Sequence, residues 1–151
     1  WSGNFTNGDA LYATQNFADG NNQGPVTLTF ASPVAGVGAQ VQENFFGPFT
    51  ASIDVYDSSN NLLGSFTEDG NSTSNGDGSA IFIGVLSTSA DIAKVVFGLT
   101  NGGNGPPTDF AINLVSLTTN ITDVPEPSTM AIAGLGGLLL LGYARRRKAT
   151  A

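Results

Sequence analysis

The 151-residue sequence contains no cysteine and no histidine. Without cysteine there is no disulfide framework, thiolate zinc site or thiol nucleophile, and without histidine the commonest general base is missing. Paired carboxylates such as Asp54 and Asp57, or Glu68 and Asp69, are candidates for acid–base chemistry. We expect no enzymatic activity, because neighbouring acids are common on acidic surfaces and no nucleophile motif accompanies them.

Charged residues are also scarce, at 11% of the chain against about 25% in average globular proteins. Glycine, serine, threonine and asparagine take their place and favour turns and strands over helices. Eleven of the twelve acidic residues but only one of the five basic residues precede Val124, so residues 1–123 carry a net charge of −10. Because such a surface repels phosphate backbones, we expect no nucleic-acid partner.

Short alternating segments dominate the chain before residue 118. In 49–56, the apolar residues Phe49, Ala51, Ile53 and Val55 share one face, as in a strand with one buried side. About eight such segments, with turns every 8–12 residues, predict an all-β, antiparallel sandwich or barrel. The segment 68–79 has no apolar residue and is predicted to be a loop. The predicted strands are 9–15, 24–30, 36–42, 49–56, 62–67, 80–86, 92–100 and 109–117.

The C-terminal part of the sequence has a different composition. A proline-containing linker at 118–128 precedes an uncharged apolar run at 129–144, which is slightly shorter than the ~17–25 residues of a usual membrane span. A buried core helix is the alternative, but the run is apolar all round and ends at a basic cluster, so we predict one transmembrane helix. The cluster should stay cytoplasmic, which places the ectodomain, residues 1–117, across the membrane from the tail, residues 145–151. The basic residues are Arg145, Arg146, Arg147 and Lys148.

Three features follow one another in this part of the chain: the stretch Val124, Pro125, Glu126 and Pro127, an apolar span, and an arginine-rich end. This order resembles the PEP-CTERM protein-sorting signal of Gram-negative bacteria, which is also labelled the ice-binding protein C-terminal motif. The resemblance covers about the last sixth of the chain. It implies processing near Glu126 by a membrane-embedded protease of the exosortase family. It further implies transfer of the ectodomain from the periplasmic side of the membrane to the cell surface or the medium, often together with exopolysaccharide production.

The ectodomain resembles the jelly-roll, galactose-binding-like domains found in many PEP-CTERM proteins. The stretches that carry this resemblance are 27–42, 51–67, 82–100 and 109–117. It implies a jelly-roll-like sandwich with an adhesive or carbohydrate-binding function. The alternative is a secreted hydrolase whose catalytic part is upstream or unrecognised, because we expect the sequence to be a piece that lacks the natural N-terminus.

A sugar site needs aromatic rings for stacking and polar side chains for the hydroxyl groups. Phe45 and Phe46 lie in an apolar, turn-like stretch, so they either form an exposed pair or close one end of the sandwich. The candidate ligand-binding residues are Tyr12, Asn44, Phe45, Phe46, Asp54 and Tyr56.

The acidic segment 68–78 carries hard oxygen ligands of the kind that calcium prefers. A solvated, asparagine-rich turn explains the same composition, and the EF-hand spacing is absent, so we predict no obligatory cofactor. The candidate calcium ligands are Asp69, Asn71, Asn75 and Asp77.

Overall fold

A computed structural model describes residues 3–14, 24–101 and 109–120. These residues belong to one compact unit that spans 1–121. They form nine strands: β1 (Tyr12–Ala13), β2 (Val26–Val34), β3 (Gly36–Glu43), β4 (Gly47–Tyr56), β5 (Leu62–Ser72), β6 (Ile81–Leu86), β7 (Ile92–Asn101), β8 (Phe110–Ile112) and β9 (Ser116–Thr118). The PEP stretch, the predicted transmembrane helix at 129–144 and the basic tail lie outside the described residues.

The strands form two antiparallel sheets. Sheet A has the order β1-β8-β3-β6, with β9 also paired to β3, and sheet B has the order β2-β7-β4-β5. The prediction of an all-β, antiparallel fold is confirmed. Within the described ranges, no helix has the length and apolar character needed to cross a membrane.

A shared hydrophobic core joins the two sheets. The predicted inner face of β4 is confirmed, since Phe49, Ala51, Ile53 and Val55 are all buried. Inward-facing residues of β3, among them Val41, belong to the same core cluster. Burying each large apolar side chain stabilises the fold by about 1.5–3 kcal/mol. Two sheets that share one core in this way fit a β-sandwich.

The prediction of a loop over all of 68–79 is wrong for its first part. Strand β5 continues to Ser72, and residues 68–72 pair with 47–51 of β4. The ring of Phe49 packs over Gly70 on the inner side of this extension. Because β5 lies at the edge of sheet B, its polar side chains can face solvent while its backbone completes the hydrogen-bonded ladder.

The single strand predicted at 109–117 is also corrected, because it divides into β8 and β9. Both short strands pair with β3, β8 along residues 41–43 and β9 along residues 36–38. Between them Asn113 leaves the ladder, and its backbone N–H donates to the carbonyl oxygen of Gln40 at 3.2 Å. The break lets one segment pair with both ends of the same strand.

The N-terminal segment 3–11 covers part of the outer face of sheet A. Phe5 is buried against Ala80 and Ala111, with Leu11 packed at the edge of this small cluster. Two backbone hydrogen bonds fix the segment, from Gly76 N to Gly3 O at 2.7 Å and from Ala80 N to Asn4 O at 3.2 Å. The segment is therefore held against the loop that follows β5.

Candidate functional site

The six candidate sugar-binding residues are spread over the molecule. Phe45 and Phe46 precede β4, whereas Asp54 and Tyr56 lie at its other end. The ten residues of β4 separate these two groups by roughly 30 Å. Tyr12 lies on β1, the edge strand of sheet A, and is 64% exposed. The structure therefore does not combine the six residues into one site.

Phe45 and Phe46 form an exposed pair and do not close the end of the sandwich. Their side chains are 57% and 65% exposed. The neighbouring Asn44 is half-buried, and its backbone N–H donates to the carbonyl oxygen of Asp109 at 2.9 Å. The two rings thus project from a connection whose backbone is anchored to sheet A.

One face of the Tyr56 ring is occupied by a cation. The ammonium group of Lys94 lies 3.9 Å from the ring centroid, a cation–π contact, and also donates a hydrogen bond to Asn60 Oδ1. Asp54 lies two residues before Tyr56, on the outer face of β4. Lys94 therefore competes with any ligand for that face of Tyr56.

The four candidate calcium ligands are divided between a strand and a loop. Asp69 and Asn71 lie on β5, where Asp69 accepts a hydrogen bond from the Thr50 hydroxyl at 2.8 Å, whereas Asn75 and Asp77 lie in the following loop. Among the residues that the structure describes, no three acidic side chains are grouped so that they could hold a metal ion. Calcium binding through mixed amide and carboxylate ligands stays a prediction.

Asp77 belongs to a hydrogen-bonded network that the sequence did not reveal. Its Oδ1 accepts from the Ser79 hydroxyl at 2.6 Å and from the Ser79 backbone N–H at 3.1 Å. These bonds, the side-chain bond first, hold the pKa of the Asp77 carboxyl below its usual 3.8. The carboxylate is therefore ionised at neutral pH.

Asn4 ties the N-terminal segment to the same loop. Its side-chain N–H groups donate to the hydroxyls of Thr73 and Ser79, each at 2.7 Å, and its Oδ1 accepts from the Thr73 backbone N–H at 2.7 Å. Its backbone N–H donates to Gln42 Oε1, on β3. Sequence spacing gives no signal of this network, because its partners lie 38 to 75 residues apart.

A polar cavity of about 340 Å³ lies between these two segments. Its two sides carry related tetrapeptides, Thr-Asn-Gly-Asp at 6–9 and Ser-Asn-Gly-Asp at 74–77. The first is a turn closed by a hydrogen bond from Asp9 N to Thr6 O at 3.1 Å, with Gly8 at a φ of +99°. Gly76 in the second has a φ of +59°. Glycine permits both backbone conformations.

An apolar groove of about 280 Å³ runs over the outer face of sheet A. Gly36 and Gly38 form its floor, between the hydroxyls of β9 and the exposed Phe82 and Leu86 of β6. The Phe82 ring packs over Gly38 and Gly84. A Cβ on either glycine would lie within 3.0 Å of that ring, so the absence of a side chain permits the close packing. The hydrophobic composition of 80–86 predicted a strand but not which of its residues faces outward.

Comparison with solved structures gives a distant similarity. A chain described as "Glycosylation Associate Protein (Gap123) complex from Streptococcus agalactiae" matches 78% of this chain at 12% sequence identity, with a TM-score of 0.34. The match spans 36% of that chain. No curated protein matches this chain in sequence.

The C-terminal part gives a clear family match. Residues 123–148 match the PEP-CTERM protein-sorting motif. They include the whole of the PEP stretch, the apolar run and the basic cluster on which the sequence resemblance rested. The chain therefore carries a PEP-CTERM sorting motif at residues 123–148, which indicates a surface protein targeted by an exosortase.

Proposed function

We propose that this chain is a surface or extracellular-matrix protein of a Gram-negative bacterium, whose all-β region binds polysaccharide without catalysing a reaction. The observation that carries the proposal is the sorting motif at 123–148. The motif accounts for the composition of the tail, and sorting to the surface would bring the acidic all-β region into contact with extracellular polysaccharide.

Each part of the motif has a physical role in this proposal. Pro125 and Pro127 favour extended backbone around Glu126, which suits a segment that a protease must reach. The apolar run 129–144 inserts into the membrane, and the basic cluster after it stays in the cytoplasm. A short anchor is sufficient because cleavage ends its use.

Mass spectrometry of the surface-exposed protein tests the sorting step. The chain is expressed in cells with and without the exosortase, and its C-terminus is determined. We expect a new C-terminus close to Glu126 only when the protease is present. Glu126→Ala should reduce cleavage, whereas Asn120→Ala, in the linker before the motif, should not. An intact C-terminus on the surface protein of exosortase-containing cells would contradict the proposal.

Polysaccharide binding is supported by the surface of the all-β region. It presents exposed aromatic side chains at Phe45, Phe46 and Phe82, a cavity lined by amides and hydroxyls, and an acidic charge that disfavours nucleic acid. Pull-down with extracellular polysaccharide from the producing cells is the direct test. Retention of the protein on the polysaccharide is expected, and its absence from the bound fraction would remove this part of the proposal.

The absence of catalysis is proposed from the uses that the acidic residues already have. Asp57 accepts three hydrogen bonds within a turn, and Asp69 accepts one from Thr50.

Calcium is proposed only as a stabilising ion of the loop at 75–77. A chelator that lowered the melting temperature would support that site, and an unchanged melting temperature would dismiss it.

A further inference from the structure

We propose that the polar cavity between the turns at 6–9 and 74–76 is the site that binds one neutral sugar unit of the polysaccharide. This inference rests on the polysaccharide binding proposed above. It moves the binding site away from the aromatic residues that the sequence singled out. Four features support the assignment: the size and lining of the cavity, the rigidity of its sides, the polar groups that are available to a ligand, and the charge around it.

The two sides of the cavity are fixed before any ligand arrives. Gly76 N donates to Gly3 O at 2.7 Å, and the side chain of the next residue, Asn4, donates to Thr73 and Ser79. Asn4 is itself buried, so its bonds to Thr73 and Ser79 are partly shielded from water. A site held in this way loses little conformational freedom when a ligand binds, which favours affinity for a small, hydrophilic molecule.

Several polar groups at the cavity are available to a ligand. The side chains of Asn7 and Ser74 make no hydrogen bond to any described residue, and both are exposed. The Asp9 carboxylate accepts only one long bond, from Asn113 Nδ2 at 3.4 Å. An amide, a hydroxyl and a carboxylate together supply the donors and acceptors that sugar hydroxyls require.

The charge around the cavity selects against acidic sugars. Asp9 lines it, Asp77 lies directly behind the second turn, and none of the lining residues is basic. An anionic sugar would meet two carboxylates without a compensating cation. A metal ion inside the cavity is also disfavoured, since Asp9 is the one carboxylate among the lining residues and Asp77, the carboxylate of the candidate calcium loop, is not among them.

The size and the inner lining suit a sugar ring. The volume of about 340 Å³ lies within the roughly 300–1,000 Å³ of small-molecule sites. Phe5 and Leu11 supply apolar surface at one side, where the C–H groups of a sugar can pack. The rest of the lining is polar, which suits a polyol better than a hydrocarbon ligand.

Calorimetric titration of the full chain in a detergent without sugar groups tests the proposal. The neutral probes are cellotriose, maltotriose and chitotriose, and trigalacturonate is their acidic counterpart. We expect at least one neutral trisaccharide to bind at least tenfold more tightly than trigalacturonate. Asn7→Ala, which removes a free amide, and Ser74→Tyr, which fills the cavity, should each raise its Kd at least fivefold.

Ser58→Tyr is the matched control, because it introduces the same side chain as Ser74→Tyr at an exposed position in the turn between β4 and β5 that does not line the cavity, and it should change that Kd less than twofold. Thermal unfolding of each variant checks that it is folded, and either cavity variant alone suffices for the test. Binding that survives both cavity variants would overturn this site and leave polysaccharide binding intact. Binding of trigalacturonate, but of none of the neutral trisaccharides, by the wild-type protein would also overturn this site. Absence of all trisaccharide binding overturns the site, and the polysaccharide pull-down then decides separately whether the proposed function also fails.

Discussion

At the scale of single residues, Asp57 organises the turn between β4 and β5. Its Oδ1 accepts from the backbone N–H groups of Ser59 and Asn61, each at 2.8 Å, and its Oδ2 accepts from the Asn61 side chain at 2.8 Å. Asn60 completes the turn with a φ of +65°, which asparagine tolerates better than most residues. The sequence predicted a short connection here, between the strands at 49–56 and 62–67, and the structure shows which side chain closes the turn.

Asp57→Ala should lower the melting temperature by a few degrees, because three hydrogen bonds of the turn are lost together. Ser58→Ala is the control, since the Ser58 side chain makes no hydrogen bond within the described part of the chain. Circular dichroism melts of the two variants measure the difference. Equal melting temperatures for Asp57→Ala and the wild type would show that the turn does not need its carboxylate.

The same carboxylate should make stability depend on acid pH. Hydrogen bonds from Asn61, its side chain first, hold the pKa of Asp57 below the usual 3.8, and the Ser87 and Ser89 hydroxyls do the same for the pKa of Asp91. Because each folded-state pKa is the lower one, the unfolded chain binds more protons between the two values. The contribution is complete above about pH 4 and is lost as the pH falls through the folded-state pKa. Urea unfolding at pH 6, 4 and 3 should show this loss, and Asp57→Ala should reduce its slope.

Phe97 and Phe46 differ in burial although both are phenylalanines of the all-β region. Phe97 is fully buried in the shared core, whereas Phe46 is 65% exposed. Phe97→Ala should cost about 3–5 kcal/mol of unfolding free energy through the lost burial and the cavity left behind. Phe46→Ala should cost less than about 0.5 kcal/mol. Urea denaturation measures both values, and a similar loss for the two variants would contradict the assigned core.

At the scale of the elements, glycines in β3 and β6 permit an aromatic residue to lie flat on sheet A. A Cβ on Gly38 would lie 2.4 Å from Phe82 Cζ and 3.0 Å from the backbone Cα of Gly84. The second contact is with backbone, so moving the Phe82 ring alone would not relieve the crowding. The apolar groove of sheet A therefore depends on glycine at position 38.

Gly38→Ala should destabilise the protein by about 1–3 kcal/mol, the usual cost of overpacking. Gly98→Ala on β7 is the matched control, because its new methyl group would meet only the Ser52 hydroxyl, the end of a small side chain. The control should leave stability nearly unchanged. Chemical denaturation of both variants gives the comparison, and an unaffected Gly38→Ala would show that the two strands can separate locally.

The strands also show how far the sequence could predict the fold. Alternation in β4 was a reliable guide because one face meets the core and the other does not. The continuation of β5 to Ser72 has no such pattern, since its stability comes from backbone pairing with residues 47–51. The division of β8 from β9 depends in the same way on which part of β3 each segment meets. Pairing over long sequence separations leaves no mark within a short window.

At the scale of the whole molecule, the charge distribution predicts orientation in the membrane. Residues 1–123 carry a net charge of −10, and four of the five basic residues follow residue 144. Because the chain has no cysteine, a single introduced cysteine reports its own location. Before cleavage, Ser59→Cys should react with a membrane-impermeant maleimide applied to cells with a permeabilised outer membrane. Thr150→Cys should react only after lysis, and the reverse pattern would contradict the proposed orientation.

The class of fold and the sorting motif could both be predicted from the amino-acid sequence. Both depend on local patterns, namely the two-residue period of strands with one buried face and a contiguous run of proline, apolar and basic residues. Which polar residues lie close together, by contrast, depends on how the strands and the N-terminal segment pack. Asn7 and Asn75 lie 68 positions apart in the sequence, and packing of the N-terminal segment on sheet A brings their turns to one cavity. Proximity of this kind follows from chain topology, which local composition does not encode.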